Sequence, residues 1–470
     1  MNTLEEAVDA VRSRSRCSVV LPAGAGKTHL IVQLACALAE EGNRTLLLTH
    51  TNAGGDVMRR RLRRSGAGAK ARVRTIAGWS LDLIGRVPLL AGIRVGAEPD
   101  WSLSSVYVEG ARQAVASEPI SDVLRASYDF VLVDEYQDCT GGQHALVCEI
   151  AQTLPTAIFG DPLQALFDFG GADTPPNWTE VESAFPPLVV ASSPQRWRDA
   201  NTRLGDWLLC IRDPLSKGKP IELDRSVVNW IEADADVTKT RRTTCLRQPS
   251  SGSVVALGRF RADCAAVARG LNGTYALMEE LEGAVMMAFA ATVDVGGSEL
   301  ASATVDFAIG AVSGLASAFS SAKRSRLKLG KPVATRDDAL RPAHEAVNHV
   351  LESPTPRAVA SALRTLGQVA GAHLYCHEAW STVLSALDAA AASSDTSVAA
   401  AVLRSRNLTR VTGRRPTQRV VSRPRLVKGL EFDHAVLLDA DQYDRTELYV
   451  ALSRPRYSLT VISARPNLAG

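Results

Sequence analysis

Two acidic residues follow directly on a short apolar run at residues 130–138, which read FVLVDEYQD. Four apolar residues bounded by polar ones are typical of a strand that is buried on both faces of a parallel sheet. Carboxylates at the carboxyl end of such a strand lie in the crevice where open α/β sheets bind ligands. We therefore expect Asp134 to hold a hydrated Mg²⁺ and Glu135 to take a proton from water. Because strands that end in Asp-Glu are common, this interpretation also requires a phosphate-binding loop upstream.

A glycine-rich turn upstream meets that requirement. Residues 18–28, SVVLPAGAGKT, predict a strand and a turn, and the residues that follow predict a helix over 27–41. Gly24 and Gly26 would let backbone N–H groups face an anion, and the helix N-terminus adds its dipole. Lys27 would supply a charge to the β- and γ-phosphates, and Thr28 an oxygen to Mg²⁺. The usual pattern opens with Gly where this chain has Leu21, so a chance glycine turn is the alternative.

Length and composition set the broad class of the protein. A chain of 470 residues exceeds a single core, which predicts about two to four domains. Apolar residues make up 46% and charged residues 22%, as in ordinary soluble globular proteins. No stretch reaches the roughly 18 apolar residues of a membrane span, and the N-terminal residues lack the apolar core of a signal peptide. We therefore expect a cytoplasmic protein without a membrane partner.

The eight cysteines are scattered and form no CxxC pair. In a cytoplasmic chain this distribution favours buried or inert thiols. His373, Cys376 and His377 form a cluster that resembles part of a metal site. The cluster lacks a fourth ligand at a useful spacing, which disfavours zinc.

Basic residues are concentrated in two blocks, although the formal net charge is only +3. Residues 58–64 and 404–425 are both rich in arginine. A GC-rich genome or a solvated face would explain such blocks, but their position beside the other motifs favours a surface that contacts phosphates.

Eight segments of the chain, in this order, resemble the motifs of superfamily 1 helicases of the UvrD/Rep type. They are PAGAGKT (22–28), THTNAGGDVMRRR (49–61), TIAGWSLDLI (75–84), DEYQD (134–138), GDPLQALFDFGGA (160–172), QRWRD (195–199), VKGLEFD (427–433) and YVALSRPR (449–456). Any one of them could arise by chance, whereas the ordered set could not. A P-loop kinase or GTPase would not explain the last three segments together.

The resemblance implies an α/β fold of two RecA-like P-loop NTPase lobes with parallel sheets and ATP between them. It implies a first lobe, 1A, at 1–188, with a reduced 1B-type insertion at about 86–127, and a second lobe, 2A, at 189–282 plus 416–470. Residues 283–415 lie where the family inserts its 2B subdomain, and their Ala- and Ser-rich, glycine-interrupted patterns predict an all-helical insertion. A partner-binding surface is an equal alternative for this block.

The resemblance also implies the residues of an ATP and Mg²⁺ site. Gln164 would lie at the γ-phosphate, and Arg198 and Arg454 would reach it from the opposite lobe as arginine fingers. Glu431 would hydrogen-bond the ribose. The full set of implied nucleotide contacts is Ala23, Gly24, Ala25, Gly26, Lys27, Thr28, His29 and Glu431, with Thr28 and Asp134 at the metal.

Contacts to single-stranded or partly duplex DNA are implied for Thr51, Asn52, Thr75, Phe167 and Phe169. The two phenylalanines match aromatic residues that stack on bases, for which ordinary core packing is the alternative. The chain departs from the family pattern at two places. At Gly170 the family has Arg, and at residues 423–425, which are Arg-Pro-Arg here, the family has Thr-x-His. These departures alter two expected DNA contacts.

One nucleotide contact of the family is missing. Related helicases place a Gln upstream of the phosphate-binding loop to read adenine, and residues 4–16 contain none. Either the chain starts late, or the site discriminates weakly between ATP and other purine triphosphates.

Two functions follow from the resemblance. The first is a DNA-dependent ATPase that translocates 3′→5′ and unwinds. The second is a DNA- or nucleotide-sensing ATPase that regulates a partner nuclease, as the layout resembles the small UvrD-like subunit of Gabija anti-phage systems, which works beside an OLD-type nuclease. The short 86–127 segment and the divergent 283–415 block give weight to the second.

Overall fold

The computed structural model describes residues 4–50, 52–96, 99–166, 174–278, 283–393, 395–412 and 417–468. Three residues expected to contact DNA, Thr51, Phe167 and Phe169, lie outside the described residues, as does the side chain of Asn52. Among the described helices none is both long and apolar enough to cross a membrane.

The elements observed confirm the strands predicted at the two motifs. In chain order the strands are β1 (Arg16–Val20), β2 (Thr45–Thr49), β3 (Ala71–Thr75), β4 (Phe130–Val133), β5 (Thr156–Gly160), β6 (Ile221–Glu222), β7 (Asn229–Glu232), β8 (Val254–Leu257), β9 (Ala276–Leu277), β10 (Val312–Ser313), β11 (His373–Leu374), β12 (Arg419–Ser422), β13 (Phe432–Leu437), β14 (Pro455–Ser463) and β15 (Asn467–Leu468).

The described helices include the one predicted after the glycine turn, which ends at Glu40, one residue earlier than expected. In chain order they are α1 (Leu4–Arg12), α2 (Lys27–Glu40), α3 (Asn52–Arg64), α4 (Ile76–Arg86), α5 (Pro88–Ala91), α6 (Ser104–Val115), α7 (Glu118–Ser127), α8 (Gly141–Thr153), α9 (Trp178–Ala184), α10 (Thr202–Cys210), α11 (Arg212–Ser216), α12 (Val237–Leu246), α13 (Arg261–Gly270), α14 (Ala284–Val295), α15 (Leu300–Ala311), α16 (Leu315–Ala318), α17 (Ser321–Lys328), α18 (Arg341–Glu352), α19 (Pro356–Gly367), α20 (His377–Ala392), α21 (Val398–Thr412) and α22 (Arg445–Leu452).

Contacts divide the chain into two compact units. Unit 1 comprises the described residues within 1–227 and 444–457, and unit 2 comprises those within 228–443 and 458–468. Residues 189–227 and 444–457, which were expected in lobe 2A, therefore group with unit 1. The assignment of segments to lobes 1A, 2A and 2B stays a prediction.

Unit 1 is built on a five-stranded parallel sheet in the order β1-β5-β4-β2-β3. Alternate residues of β4 face opposite sides, as the period of a strand requires. Val131 and Val133 pack in one apolar cluster with α4, α6 and α8, whereas Phe130 and Leu132 pack in another with α1, α2 and α3. Helices therefore cover both faces, and the predicted α/β fold with a buried parallel sheet is confirmed.

The order of this sheet brings the two sequence motifs together. β5 lies between β1 and β4, with Val20 of β1 opposite Gly160 and Val133 of β4 opposite Ile158. The glycine turn leaves the carboxyl end of β1, and Asp134 and Asp161 follow β4 and β5. All three therefore emerge at the same edge of the sheet.

Unit 2 contains a six-stranded sheet in the order β7-β14-β13-β8-β12-β9. β8 pairs in parallel with β12 and β13, and β12 also pairs in parallel with β9. One apolar core joins this sheet to helices α14–α21. The block expected to be all-helical also contains a two-residue antiparallel ladder, β10 with β11, because Val312 and Ser313 extend the end of α15 against residues 373–374.

Candidate active site

The turn between β1 and α2 depends on two glycines with left-handed backbones. The φ angle is 68° at Gly24 and 90° at Gly26, a region that residues with a Cβ rarely adopt. Gly26 caps α2, and Lys27 is its first residue. Because the first N–H groups of a helix have no partner within it and the dipole is positive there, this turn is suited to an anion.

Close packing around Gly24 also requires glycine. A Cβ at this position would lie 2.5 Å from Cζ3 of Trp197. The indole Nε1 of Trp197 donates to the carbonyl of Pro455 at 2.7 Å. The backbone N–H of Arg196 donates to the carbonyl of Gly24 at 3.0 Å. The segment around Trp197 therefore holds one side of the turn in place.

Asp134 and Glu135 follow β4, and Glu135 is strained. The N–H of Asp134 donates to the carbonyl of Leu48 at 2.9 Å, which ties it to β2. Glu135 has φ 54° and ψ 40°, a left-handed conformation that costs a residue other than glycine roughly 1–2 kcal/mol. Its N–H donates to Oδ1 of Asp134 at 2.9 Å, which offsets part of that cost. Strain of this kind is concentrated at functional sites.

Lys27 is buried between the two acids. Its Nζ lies 2.8 Å from Oε1 of Glu135 and 3.5 Å from Oδ1 of Asp134. Burial by itself lowers the pKa of Lys27, but Glu135 and then Asp134 outweigh it and raise the pKa above its ordinary value. Burial raises the pKa of Asp134, and the Lys27 charge opposes part of that rise. The ion pairs lie in a poorly solvated place, where charges interact more strongly than in water.

Gln137 connects the ends of β4 and β5. Its Oε1 accepts the N–H of Asp161 at 2.9 Å. Its Nε2 donates to Oε2 of Glu135. One oxygen of Glu135 is thus held by an amide and the other by Lys27.

A buried network of side chains surrounds Asp161. Arg212 binds its carboxylate in a bidentate manner, with Nη2 at 2.7 Å from Oδ1 and Nη1 at 2.9 Å from Oδ2. Nε2 of Gln164 donates to Oδ2 at 2.9 Å. Nη1 of Arg212 also donates to Oη of Tyr449 at 3.2 Å, and the same Oη accepts the N–H of Ala23 at 3.2 Å. This buried acid is therefore neutralised and hydrogen-bonded, as a buried charge must be.

Arg454 lies beside Gln164 within unit 1. Its side chain is 1% exposed. Its Nε donates to the carbonyl of Val450 and its Nη2 to Oγ of Ser453, both at 2.8 Å. Nη2 also lies 3.5 Å from Oε1 of Gln164. A buried guanidinium is thus connected through Gln164 to Asp161.

Arg198 is exposed and lies near the start of α2. It donates to Oε1 of Gln195. The Cγ of Gln195 would lie 3.3 Å from a Cβ at Gly26. Gln195 thus places Arg198 near the glycine turn.

The residues present fit a nucleoside triphosphate with Mg²⁺. The buried Nζ of Lys27 pairs with Glu135 and Asp134, and an ammonium has three N–H donors, so it can also donate to an anionic oxygen. The glycine turn carries no side chain at either left-handed position. Thr28 and Asp134 could supply the hard oxygen ligands that Mg²⁺ prefers.

Comparison with known proteins agrees with this geometry. Residues 101–186, which include β4, both acids and β5, match the UvrD/REP helicase N-terminal domain. This part of the chain is similar to the UvrD/REP helicase family. An ATP-dependent helicase/nuclease subunit of Lacticaseibacillus casei (strain BL23) is 46% identical over 57 residues, which is 12% of this chain and 5% of that protein. The protein of the same name from Lacticaseibacillus paracasei (strain ATCC 334) matches equally. The match thus spans about a twentieth of the length of these relatives.

Three further residues expected from the UvrD/REP resemblance differ in exposure and local surroundings. His29 is exposed on α2. Thr75 caps α4, with its Oγ1 accepting the N–H of Gly78 at 3.1 Å. Glu431 is exposed in unit 2, directly before β13. The roles assigned to these residues stay predictions.

Sequence reasoning missed five residues of the site: Gln137, Asp161, Trp197, Arg212 and Tyr449. All but Arg212 lie inside segments that resemble UvrD/REP motifs, so their position in a motif was the signal that could have identified them. Arg212 lies in CIRD at the start of α11, where no pattern marks it.

Proposed function

We propose that this chain hydrolyses ATP with Mg²⁺ and couples hydrolysis to movement along single-stranded DNA. The observation that carries the proposal is the 2.8 Å ion pair between Lys27 and Glu135, at the helix N-terminus that follows a two-glycine turn. P-loop NTPases bind and hydrolyse nucleotides with this set of groups. The UvrD/REP family match supports DNA as the partner.

Residues 24–29 would bind the triphosphate through backbone N–H groups and the ammonium of Lys27, and Ala23, whose N–H donates to Tyr449, would line the turn. Thr28 and Asp134 would hold Mg²⁺, which when bound neutralises charge on the phosphate oxygens. Glu431 stays the proposed ribose contact.

Glu135 acts as the general base and takes a proton from the attacking water. Its pairing with Lys27 must loosen first, because an ammonium at this distance favours the charged, weakly basic carboxylate. Bound phosphates compete for the same ammonium. Gln137 keeps the second oxygen of Glu135 in place, so nucleotide binding would release only one oxygen for proton transfer.

Arg454 and Arg198 would neutralise charge that develops on the γ-phosphate. Gln164 would position the γ-phosphate or the attacking water. The contact between Gln164 and Arg454 supports a shared role for these two residues.

DNA would bind along Thr51, Asn52, Thr75, Phe167 and Phe169. The two phenylalanines would stack on bases, a contact worth about 1–3 kcal/mol for each base and tolerant of sequence. The basic end of α3, with Arg61, Arg63 and Arg64, would contact phosphates. Travel in the 3′→5′ direction follows from the family resemblance.

A second candidate function is a DNA- or nucleotide-sensing ATPase that regulates a partner nuclease, such as the OLD-type partner of a Gabija-like system. The observation that favours it is the compact segment between α4 and β4. Its described residues contain only α5, one 3-10 turn, α6 and α7, which leaves little surface for gripping a duplex.

ATPase and strand-displacement assays, with and without single-stranded DNA, distinguish the two functions. Glu135→Gln tests whether Glu135 is the general base. Glu118→Gln, at the exposed start of α7, is the matched control. DNA-stimulated hydrolysis together with displacement, both abolished only by Glu135→Gln, supports the motor. DNA-stimulated hydrolysis without displacement supports the sensor. Absence of hydrolysis in the wild type would contradict both.

A further inference from the structure

The carboxylate of Asp161 has all its acceptor positions filled. Oδ1 accepts the N–H of Leu163 at 3.1 Å and Nη2 of Arg212 at 2.7 Å. Oδ2 accepts Nε2 of Gln164 and Nη1 of Arg212, both at 2.9 Å. Two carboxylate oxygens offer about four lone-pair sites, so none is left for a metal or a water.

This arrangement decides which end of the Gln164 amide faces the rest of the site. A carboxylate only accepts hydrogen bonds, so it must face the NH₂ group of Gln164. The carbonyl Oε1 then faces away, where it lies 3.5 Å from Nη2 of Arg454. Arg212 maintains this orientation because it neutralises Asp161 at full burial.

Tyr449 connects the same network to the phosphate-binding turn. Its Oη accepts the N–H of Ala23, a residue 426 positions away in the chain, and Nη1 of Arg212. Burial raises the pKa of Tyr449 to about 12, so the phenol stays protonated at neutral pH. Ala23 is therefore held by Tyr449, and its N–H is already engaged by the phenol oxygen.

We propose that Arg212 and Tyr449 are positioning residues for nucleotide hydrolysis, and this inference rests on the proposed ATPase function. Arg212 acts through Asp161 on the amide of Gln164 and so affects turnover. Tyr449 acts through Ala23 on the shape of the turn and so affects nucleotide affinity.

Steady-state ATP hydrolysis by Arg212→Lys and Tyr449→Phe tests the inference. A lysine keeps the charge but loses the bidentate fork, so we expect kcat to fall about tenfold with KM unchanged. Phenylalanine keeps the ring but loses the acceptor for Ala23, so we expect KM to rise about fivefold to tenfold with kcat unchanged. Arg125→Lys and Tyr457→Phe, at exposed positions, are the matched controls. Each kcat is referred to the folded fraction measured by thermal unfolding.

A double-mutant cycle separates positioning from general damage. If Arg212 acts through Gln164, Arg212→Lys causes no further loss of kcat in a Gln164→Ala background. Equal losses in both backgrounds, or a fall in kcat at unchanged KM for Tyr449→Phe, would overturn the inference and leave the proposed function standing. A wild type without ATPase activity would overturn both.

Discussion

The ammonium group of Lys27 lies 2.8 Å from Oε1 of Glu135. The residue expected to bind phosphate and the residue expected to accept a proton thus neutralise each other. Under the proposed function, neither would act fully until a nucleotide separates them, so binding would precede activation of the base.

Replacing Lys27 with Met should weaken nucleotide binding about tenfold to hundredfold, the range expected for one hydrogen bond to a charged group. Titration of a fluorescent ATP analogue with Mg²⁺ measures the change. Lys217→Met, which removes an exposed ion pair with Asp213, is the control. Equal affinity in the two variants would mean that Lys27 does not contact the phosphates.

Gly24→Ala should damage the phosphate-binding turn more than Gly42→Ala damages its own turn. Both positions have positive φ, 68° and 87°, so both alanines carry a strain of roughly 1–2 kcal/mol. Only at Gly24 would the new Cβ meet Trp197, at 2.5 Å, whereas the Cβ at Gly42 meets nothing within 4 Å. Urea unfolding should show the larger loss of stability for Gly24→Ala, together with weaker ATP-analogue binding. Similar losses of stability in both variants would show that the Trp197 side chain moves to accommodate the added methyl group.

Arg454→Lys should lower kcat for ATP hydrolysis by about 10³-fold or more, as for arginine fingers in other NTPases. A lysine cannot bond the Val450 carbonyl, Ser453 and Gln164 at once, as the guanidinium does. Arg456→Lys, two residues along the chain, is the matched control. Circular dichroism and thermal unfolding check that the variant is folded. A folded Arg454→Lys protein with wild-type kcat would show that Arg454 takes no part in hydrolysis.

The free energy of unfolding should fall as the pH falls through 6.5, in part because of His144. Burial lowers the pKa of His144 below its ordinary 6.5, although the Glu180 charge opposes part of that shift. Below pH 6.5 the unfolded chain binds a proton that the folded chain resists, so the stability from His144 is present above 6.5 and lost below it.

Urea unfolding of wild type and His144→Gln at about pH 7.5 and about pH 5.5 tests this expectation. The variant loses the hydrogen bond between His144 Nδ1 and Tyr136 Oη at both pH values, so that loss cancels in the comparison. The wild type should lose more stability on acidification than the variant. Parallel losses would assign the pH dependence to other groups.

Local pattern predicted the central part of unit 1 because each element there carries its own signal. The apolar run of β4 and the two glycines before α2 each restrict the backbone independently of distant residues. The same patterns correctly predicted a parallel α/β sheet. They did not predict the β10–β11 ladder, because two-residue strands have no periodicity to detect.

The sequence by itself determined the α/β class, the order of the motifs and the resemblance to UvrD/REP proteins. Only the tertiary structure decided that Arg212 neutralises Asp161, that Tyr449 holds Ala23 and that Trp197 packs on Gly24. The reason is physical: residue type and spacing control local backbone conformation, whereas the partner of a buried charge depends on which strands and helices pack together. Ala23 and Tyr449 lie 426 positions apart, and no local pattern spans that distance.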